Sequence, residues 1–328
     1  MPAKSLFILG AGFSRHAGMP LVQQLRQCVF DWLKKNGSSD PHVAVHLGPL
    51  PNWPEFPEGK SRAGLLRVDP GDDRGFEEWM ADLLKAADEY PACVQTYNVL
   101  RYACTKLLWE KQTSVTSLPD AYLHFARKVR QNQGVVSFNW DLICELALKD
   151  AAVPWSYSAR TAPIPVIKPH GSLNWINHLQ QADSGIKFAN PEGVVPIAPE
   201  STLSYDRARP FEDPLLEYDW IRLRSITFPG DLESVDPIDR PRAAAGQDRL
   251  WHETKDLIAK ADPIVFIGYS LPRYDALALG HLEAACKGKA IVGCNPSPDV
   301  LSEFVRVFGK AAVKPIPAKF EKSRFAER

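Results

Sequence analysis

A chain of 328 residues that is 45% hydrophobic can bury one large α/β core carrying substantial insertions. Its 39 basic residues balance 39 acidic ones, so a formal charge of zero leaves no electrostatic footprint for nucleic acid or an anionic membrane. No apolar stretch approaches the ~20 residues that span a bilayer, the first apolar run is too short for a signal peptide and lacks a cleavage site, and Cys28, Cys93, Cys104, Cys144, Cys286 and Cys294 form no C-x-x-C pair. A cytoplasmic protein with reduced thiols and no metal is the expectation.

Leu6-Phe7-Ile8-Leu9 predicts a buried strand that turns tightly through Gly10-Ala11-Gly12-Phe13-Ser14. After Pro20, the residues Leu21, Val22, Leu25, Cys28, Val29, Trp32 and Leu33 recur at helical spacing. Strand, glycine turn and helix form the usual cradle for a nucleotide pyrophosphate, with free N–H groups donating to the phosphates. A tight turn packed under a sheet is the plainer alternative. The common dinucleotide fingerprint is not met, because the third glycine, Gly18, comes too late. Asp31, the one acid near the required distance, lies inside a helix.

Residues 36–73 are proline-rich and aperiodic, which reads as a lid or binding loop. Three helical faces follow, separated by Pro91 and Pro119: Phe76, Trp79, Met80, Leu83 and Leu84; Leu100, Cys104, Leu107 and Leu108; Ala121, Tyr122, Phe125, Ala126 and Val129. Gly134 to Phe138 predicts a second strand, with Asn139-Trp140-Asp141 after it and Asp141 placed to cap a helix. Pro165 to Lys168 is a third strand, leading into Pro169-His170-Gly171-Ser172. Residues 183–245 are again irregular, with Phe188, Tyr205, Phe211, Tyr218, Trp220 and Phe228. Strands are then expected over Pro263–Gly268, followed by Tyr269-Ser270 and a helix from Asp275, and over Ala290–Cys294, ending in Asn295-Pro296. A helix at 300–308, a last strand from Ala312 to Ile316 and a frayed polar tail from Lys319 complete the chain.

This alternation predicts an α/β fold, a doubly wound parallel sheet of Rossmann-like type. Ligands of such sheets bind beyond the carboxyl ends of the strands. Gly10 to Gly12, Asn139, His170, Gly268 with Ser270, and Asn295 all come just after a predicted strand. Taken singly, each has a plainer reading. His170 and Asn139 could be turn formers, Asp141 and Asp275 helix starts, and Ser270 and Asn295 ordinary turns. His16 has no partner that can be named. The aromatic residues are mostly core or interface, with stacking on adenine a minority reading.

The motifs in this order resemble the sirtuin family. Gly10-Ala11-Gly12-Phe13-Ser14 with Gly18-Met19-Pro20 is similar to its opening, and Phe138-Asn139-Trp140-Asp141 to its Asn-x-Asp motif. Lys168-Pro169-His170-Gly171-Ser172 is similar to its catalytic His-Gly, Gly268-Tyr269-Ser270 to its G-x-S segment, and Cys294-Asn295-Pro296 to its ribose-binding asparagine. The resemblance implies one sirtuin-like NAD-binding domain over 1–328. Its core would be about 1–35, 130–180 and 260–316, with insertions at about 36–125 and 183–250. Protein-deacylating sirtuins hold a structural zinc on two C-x-x-C pairs, whereas Gly171 to Asp262 contains no cysteine. The chain looks instead like the divergent bacterial branch of NAD hydrolases that act as antiphage effectors.

NAD, as substrate rather than resident cofactor, is thus the implied ligand. Cleavage of the nicotinamide–ribose bond passes through an oxocarbenium-like centre and expels a neutral leaving group, so strong general-acid help is not needed. His170 is expected to accept a proton from a ribose hydroxyl or a water, and Asn139 to hold that hydroxyl or water. Asp141 would hold the nicotinamide carboxamide. Gly10, Ala11, Gly12 and Phe13, with Ser14, Gly268 and Ser270, would hold the pyrophosphate, and Asn295 the adenosine ribose. A lysine deacylase and a non-catalytic NAD or ADP-ribose sensor are the alternatives. Such effectors need restraint, so a homo-oligomer, or a separate sensor, ATPase or Argonaute-like partner chain, is also expected.

Overall fold

Leu6 to Leu9 are wholly or almost wholly buried and form the end of strand β1 (Lys4–Leu9), at the middle of a six-stranded sheet. The computed structural model describes residues 4–37, 39–40, 75–87, 92–130, 132, 134–157, 164–176, 179–182, 185–188, 195–196, 224–226 and 240–327. Most of the expected loop 36–73 therefore lies outside the described residues, as does most of 183–239, including Tyr205, Phe211, Tyr218, Trp220 and Phe228.

After β1 come a single helical turn, α1 (Ala11–Ser14), and α2 (Val22–Asn36). Three further helices follow: α3 (Phe76–Ala87), α4 (Ala92–Ser114) and α5 (Asp120–Val129). Strand β2 (Gly134–Ser137), helix α6 (Ile143–Asp150) and the short β3 (Val166–Ile167) build one flank of the sheet. Next come β4 (Gly171–Ile176), the antiparallel pair β5 (Leu179–Ala182) and β6 (Gly185–Phe188), β7 (Val195–Pro196) and β8 (Arg224–Ile226). Strand β4 pairs antiparallel with β7 and β8 in a small separate sheet. Helix α7 (Arg240–Lys260) returns the chain to β9 (Ala261–Ile267). Helix α8 (Ala276–Ala285), β10 (Ile291–Cys294), α9 (Pro298–Phe308) and β11 (Val313–Ile316) complete the other flank.

The main sheet runs β11-β10-β9-β1-β2-β3, with every neighbouring pair parallel. The fold is the expected Rossmann-like α/β class. Its strands read as near-continuous apolar runs because helices cover both faces of a parallel sheet. The chain works outward from β1 to β2 and β3, then crosses to β9 on the other side of β1, so the order reverses between β1 and β9. In an open α/β sheet that reversal opens a crevice for ligands.

Three expectations are corrected. The tail is not frayed: Phe320, Phe325 and Ala326 are buried, and Lys128 Nζ donates to the carbonyls of Arg324 and Glu327. The end of the supposedly irregular 183–245 already belongs to the 21-residue helix α7, whose Leu250, Trp251, Leu257 and Ile258 are buried. Helix α6 starts at Ile143, with Leu142 rather than Asp141 at its cap position. Asp141 still caps from one residue further out, its Oδ1 accepting from Ile143 N at 3.1 Å. Among the described residues no helix is long and apolar enough to cross a membrane, and no cluster of His, Cys, Asp or Glu could hold a metal ion.

Candidate functional site

Sheet register decides where the loops emerge. Leu9 pairs with Ser137 and Ile267, and Cys294 with Ile267 and Ile316. Five strands thus end level, and the loops that leave them meet at one edge. A cavity of about 520 Å³ opens there, inside the range of roughly 300–1,000 Å³ usual for small-molecule and cofactor sites. Gly10, Ala11 and Gly12 border it from β1, Asn139 and Asp141 from β2, and His170 from β3. Gly268 and Ser270 border it from β9, and Asn295 from β10.

The glycines are required by packing, whatever ligand they face. A Cβ on Gly12 would lie 2.8 Å from Gly268 Cα, one on Gly10 2.6 Å from Tyr269 Cα, and one on Gly268 2.6 Å from Gly12 Cα. These distances are below any contact a real Cβ makes, so the glycines let the β1 and β9 loops interlock. Gly268 also sits at φ +62°, a left-handed conformation that favours glycine. Two loop amides bond across this join and a third within the loop. Gly10 N donates to Ile267 O, Gly12 N to Gly268 O and Phe13 N to Gly10 O, at 2.8–3.0 Å.

Phe13 and Ser14 do not border the cavity. The Phe13 ring is buried against Tyr122, Phe125 and Phe320, with centroids 4.6–5.2 Å away, so it anchors the loop from below. Ser14 is also fully buried. Its Oγ donates to Asp141 Oδ1 at 2.9 Å and accepts from Asn139 Nδ2 at 3.0 Å. The same Nδ2 donates to Gly10 O at 3.0 Å. Ser14 therefore fixes two cavity side chains against the glycine loop. Burial pushes the Asp141 carboxyl up to about 6, against the opposing pull of Lys168, the Ile143 amide and the Ser14 hydroxyl.

Beneath this layer lies a buried ion pair that the sequence did not announce. Lys168 Nζ and Glu145 Oε1 are 2.8 Å apart, both fully buried. Lys168 also donates to Asp141 O at 2.7 Å, and Tyr157 OH to Glu145 Oε1 at 3.0 Å. Lys168 thus ties the β3 end that carries His170 to the β2 loop that carries Asn139 and Asp141. Removing one partner from such a pair typically costs ~3–5 kcal/mol, since it strands a buried charge.

Carboxylates surround His170. Its Nε2 lies 2.9 Å from Asp275 Oδ2. Oδ2 takes no well-directed hydrogen bond from the ring, yet a bare Nε2 lone pair this close to a carboxylate would be repelled, so the contact favours a proton on Nε2. From helix α3, Glu77 borders the cavity with its Oε2 accepting from Tyr274 OH at 2.7 Å. Burial disfavours the charged imidazole, but Asp275 and, more weakly, Glu77 outweigh it, so His170 is held above the ordinary histidine range. For Asp275 the balance runs the other way: burial raises its carboxyl, but His170 and the Ala278 amide bring it below the usual value. Glu77 is raised, mainly by burial.

Sequence reading missed Asp275 as a site residue, and also Glu77, Arg15 and Lys319. Arg15 and Lys319 bring cations to the cavity wall. Arg15 directly follows the glycine loop, and its charge next to that loop was the available signal. Nothing along the chain pairs Glu77 with His170.

No family model matches the chain, and no curated protein matches it. Among solved structures, a triple mutant of a Sir2 homologue in complex with 2'-O-acetyl ADP-ribose is 15% identical, with a TM-score of 0.44, over 97% of this chain and 88% of that one. A Sir2 homologue–NAD complex is 15% identical with a TM-score of 0.40, over 97% and 86%. Sir2Tm bound to a propionylated peptide is 13% identical with a TM-score of 0.40, over 98% and 90%.

Proposed function

We propose that this protein is an NAD hydrolase that cleaves the nicotinamide–ribose bond to give nicotinamide and ADP-ribose. The observation that carries the reading is the set of groups gathered around one cavity. A histidine in contact with a carboxylate lines it together with Asn139 and Asp141. The glycine loop, Arg15 and Asn295 line the same cavity, a set suited to a pyrophosphate and a second ribose. His170 takes the proton of the attacking water or of a ribose hydroxyl, Asn139 orients that group, and Asp141 binds the carboxamide. Arg15, rather than the loop amides alone, offsets pyrophosphate charge. Asn295 holds the adenosine ribose.

The hydrolase is favoured over a lysine deacylase because Gly171 to Asp262 carries no cysteine for a zinc module. We further propose that the protein is a gated effector of bacterial antiphage defence that acts by NAD depletion. The resemblance of its motifs to that branch supports this, and a homo-oligomer or a separate sensor chain would supply the gate.

Chromatography of NAD incubated with purified protein tests the activity. Wild type should release nicotinamide and ADP-ribose, and His170→Ala and Asn139→Ala should lose at least ~100-fold in rate while remaining folded. Full turnover by both variants would overturn the assignment. Turnover that needs an acylated peptide would point to the deacylase, and saturable binding without turnover to a sensor. NAD loss in infected but not in uninfected cells tests the effector role.

A further inference from the structure

Asp275 is anchored through one carboxylate oxygen and faces His170 with the other. Oδ1 accepts from Ala278 N at 3.1 Å as the N-cap of helix α8, and Oδ2 lies 2.9 Å from His170 Nε2. The helix start is thus a rigid mount that presents one carboxylate oxygen to the imidazole. The other face of the ring is set by Phe138, whose centroid is 5.0 Å away in an edge contact. The ring borders the cavity, and the contact with Asp275 is made through Nε2, not Nδ1.

We propose that Asp275 is a positioning residue that holds His170 as the Nε2–H tautomer, leaving Nδ1 as the nitrogen that accepts the proton on the substrate side. The proposal rests on the hydrolase reading for its chemistry, though not for its first test. As the C1'–N bond to nicotinamide breaks, nicotinamide leaves with the bonding pair as a neutral molecule. Water oxygen forms the new bond to C1', its proton passes to Nδ1, and the imidazolium later releases that proton to solvent. No oxidant or reductant is involved. The Asp275 charge stabilises the imidazolium while it exists.

Of the other titratable or charged groups, Glu77 from α3 acts on the ring, and Tyr274, from the loop before α8, donates to Glu77. Asp141 from the β2–α6 loop borders the same cavity, and Lys168 precedes His170 by two residues and donates to Asp141 O. Among the described residues Asp275 alone makes an ion-pair contact with the ring. Asp275→Asn keeps an oxygen for Ala278 N and removes the charge, whereas Glu77→Gln removes a more distant charge.

Imidazole nitrogen NMR of wild type, assigned with His170→Gln, comes first and needs no activity. A neutral His170 with its proton on Nε2 is expected, and a proton on Nδ1 overturns the proposal. In Asp275→Asn the His170 titration midpoint should fall by one unit or more, the shift typical of losing an opposite charge at this distance (~1–3 units). Glu77→Gln should move it less. An unchanged midpoint in folded Asp275→Asn overturns the proposal. In turnover assays, kcat of wild type should rise with pH through the His170 midpoint, and the rising limb should move to lower pH in Asp275→Asn. kcat should fall about tenfold or more with KM little changed. A moved midpoint with unaltered kcat and pH profile would make the contact structural and overturn the positioning role. Failure of wild type to turn over NAD would overturn the hydrolase reading while leaving the tautomer result standing.

Discussion

Asp141 shows how one side chain trades stability against a site. Its Oδ1 already serves the Ser14 hydroxyl and the Ile143 amide, and the residue is 8% exposed. Burial still wins, raising the carboxyl from 3.8 to about 6. A carboxyl raised on folding binds its proton more tightly in the folded state. The ionised form therefore costs stability above about pH 6, and the cost fades as pH falls through the window to about 4. Asp141→Asn keeps an acceptor oxygen and removes the charge. The variant should be more stable than wild type at pH 8 by up to about 3 kcal/mol, about two pK units at ~1.4 kcal/mol each, and equal to it at pH 4. Urea unfolding at the two pH values checks this. An equal difference at both would assign the effect to altered contacts. Weaker NAD binding by the same variant is the expected penalty if the charge is kept for the carboxamide. His170 and Asp275 bracket this behaviour with opposite signs. The raised histidine contributes stability that is lost as pH rises through its folded value, and the depressed Asp275 contributes stability that is lost on the acid side.

Among the elements, the C-terminal tail does more than its composition suggests. Phe320 places its ring 4.6 Å from Phe13, 5.1 Å from Tyr122 and 5.8 Å from Phe125, while Phe325 sits 6.1 Å from Phe7. Lys319, Phe320 and Glu321 also border the cavity. Phe320→Ala should cost about 3–5 kcal/mol of stability, as buried Phe→Ala changes do, and should raise KM for NAD by loosening the wall beside Phe13 and the glycine loop. Thermal unfolding and steady-state kinetics read the two effects. A loss under about 1 kcal/mol would mean that the tail packs only loosely. The tail escaped sequence reading because Phe320 and Phe325 stand isolated among charged residues, with neither helical nor strand period. Helix α7 was missed for a different reason. Its first third, Arg-Pro-Arg-Ala-Ala-Ala-Gly, shows no amphipathic period, and the apolar spacing begins only at Leu250.

Across the whole molecule, the legible part of the site was the part that the backbone dictates. Apolar runs marked the strands, the strands end in register, and the loops leaving them meet at one edge. Asn139, Asp141, His170, Ser270 and Asn295 could be placed on that logic. Pairings across elements could not, because nothing in local pattern links Asp275 with His170, Glu77 with Tyr274, or Lys168 with Glu145. The glycines were legible as a tight turn but not as an interlock, since Gly268 lies far along the chain from Gly12 and only the crossover from β3 to β9 brings them together. A cavity made this way depends on loops from five strands plus the tail. A ligand long enough to touch them all should therefore stabilise the fold as a unit. Binding to the native state alone contributes RT ln(1 + [L]/Kd), about 2.7 kcal/mol at a hundredfold excess over Kd, or roughly 4 °C in melting temperature for a chain of this length. ADP-ribose, which reaches from His170 to Asn295 in the proposed pose, should give that shift with a single steeper transition. Nicotinamide, held beside His170 alone in that pose, should give much less at the same free concentration. Calorimetry with each ligand distinguishes the cases. An equal shift with both, or none with millimolar ADP-ribose, would mean that the cavity does not bind ADP-ribose through all of these loops, and the roles assigned to Arg15 and Asn295 would fall with it.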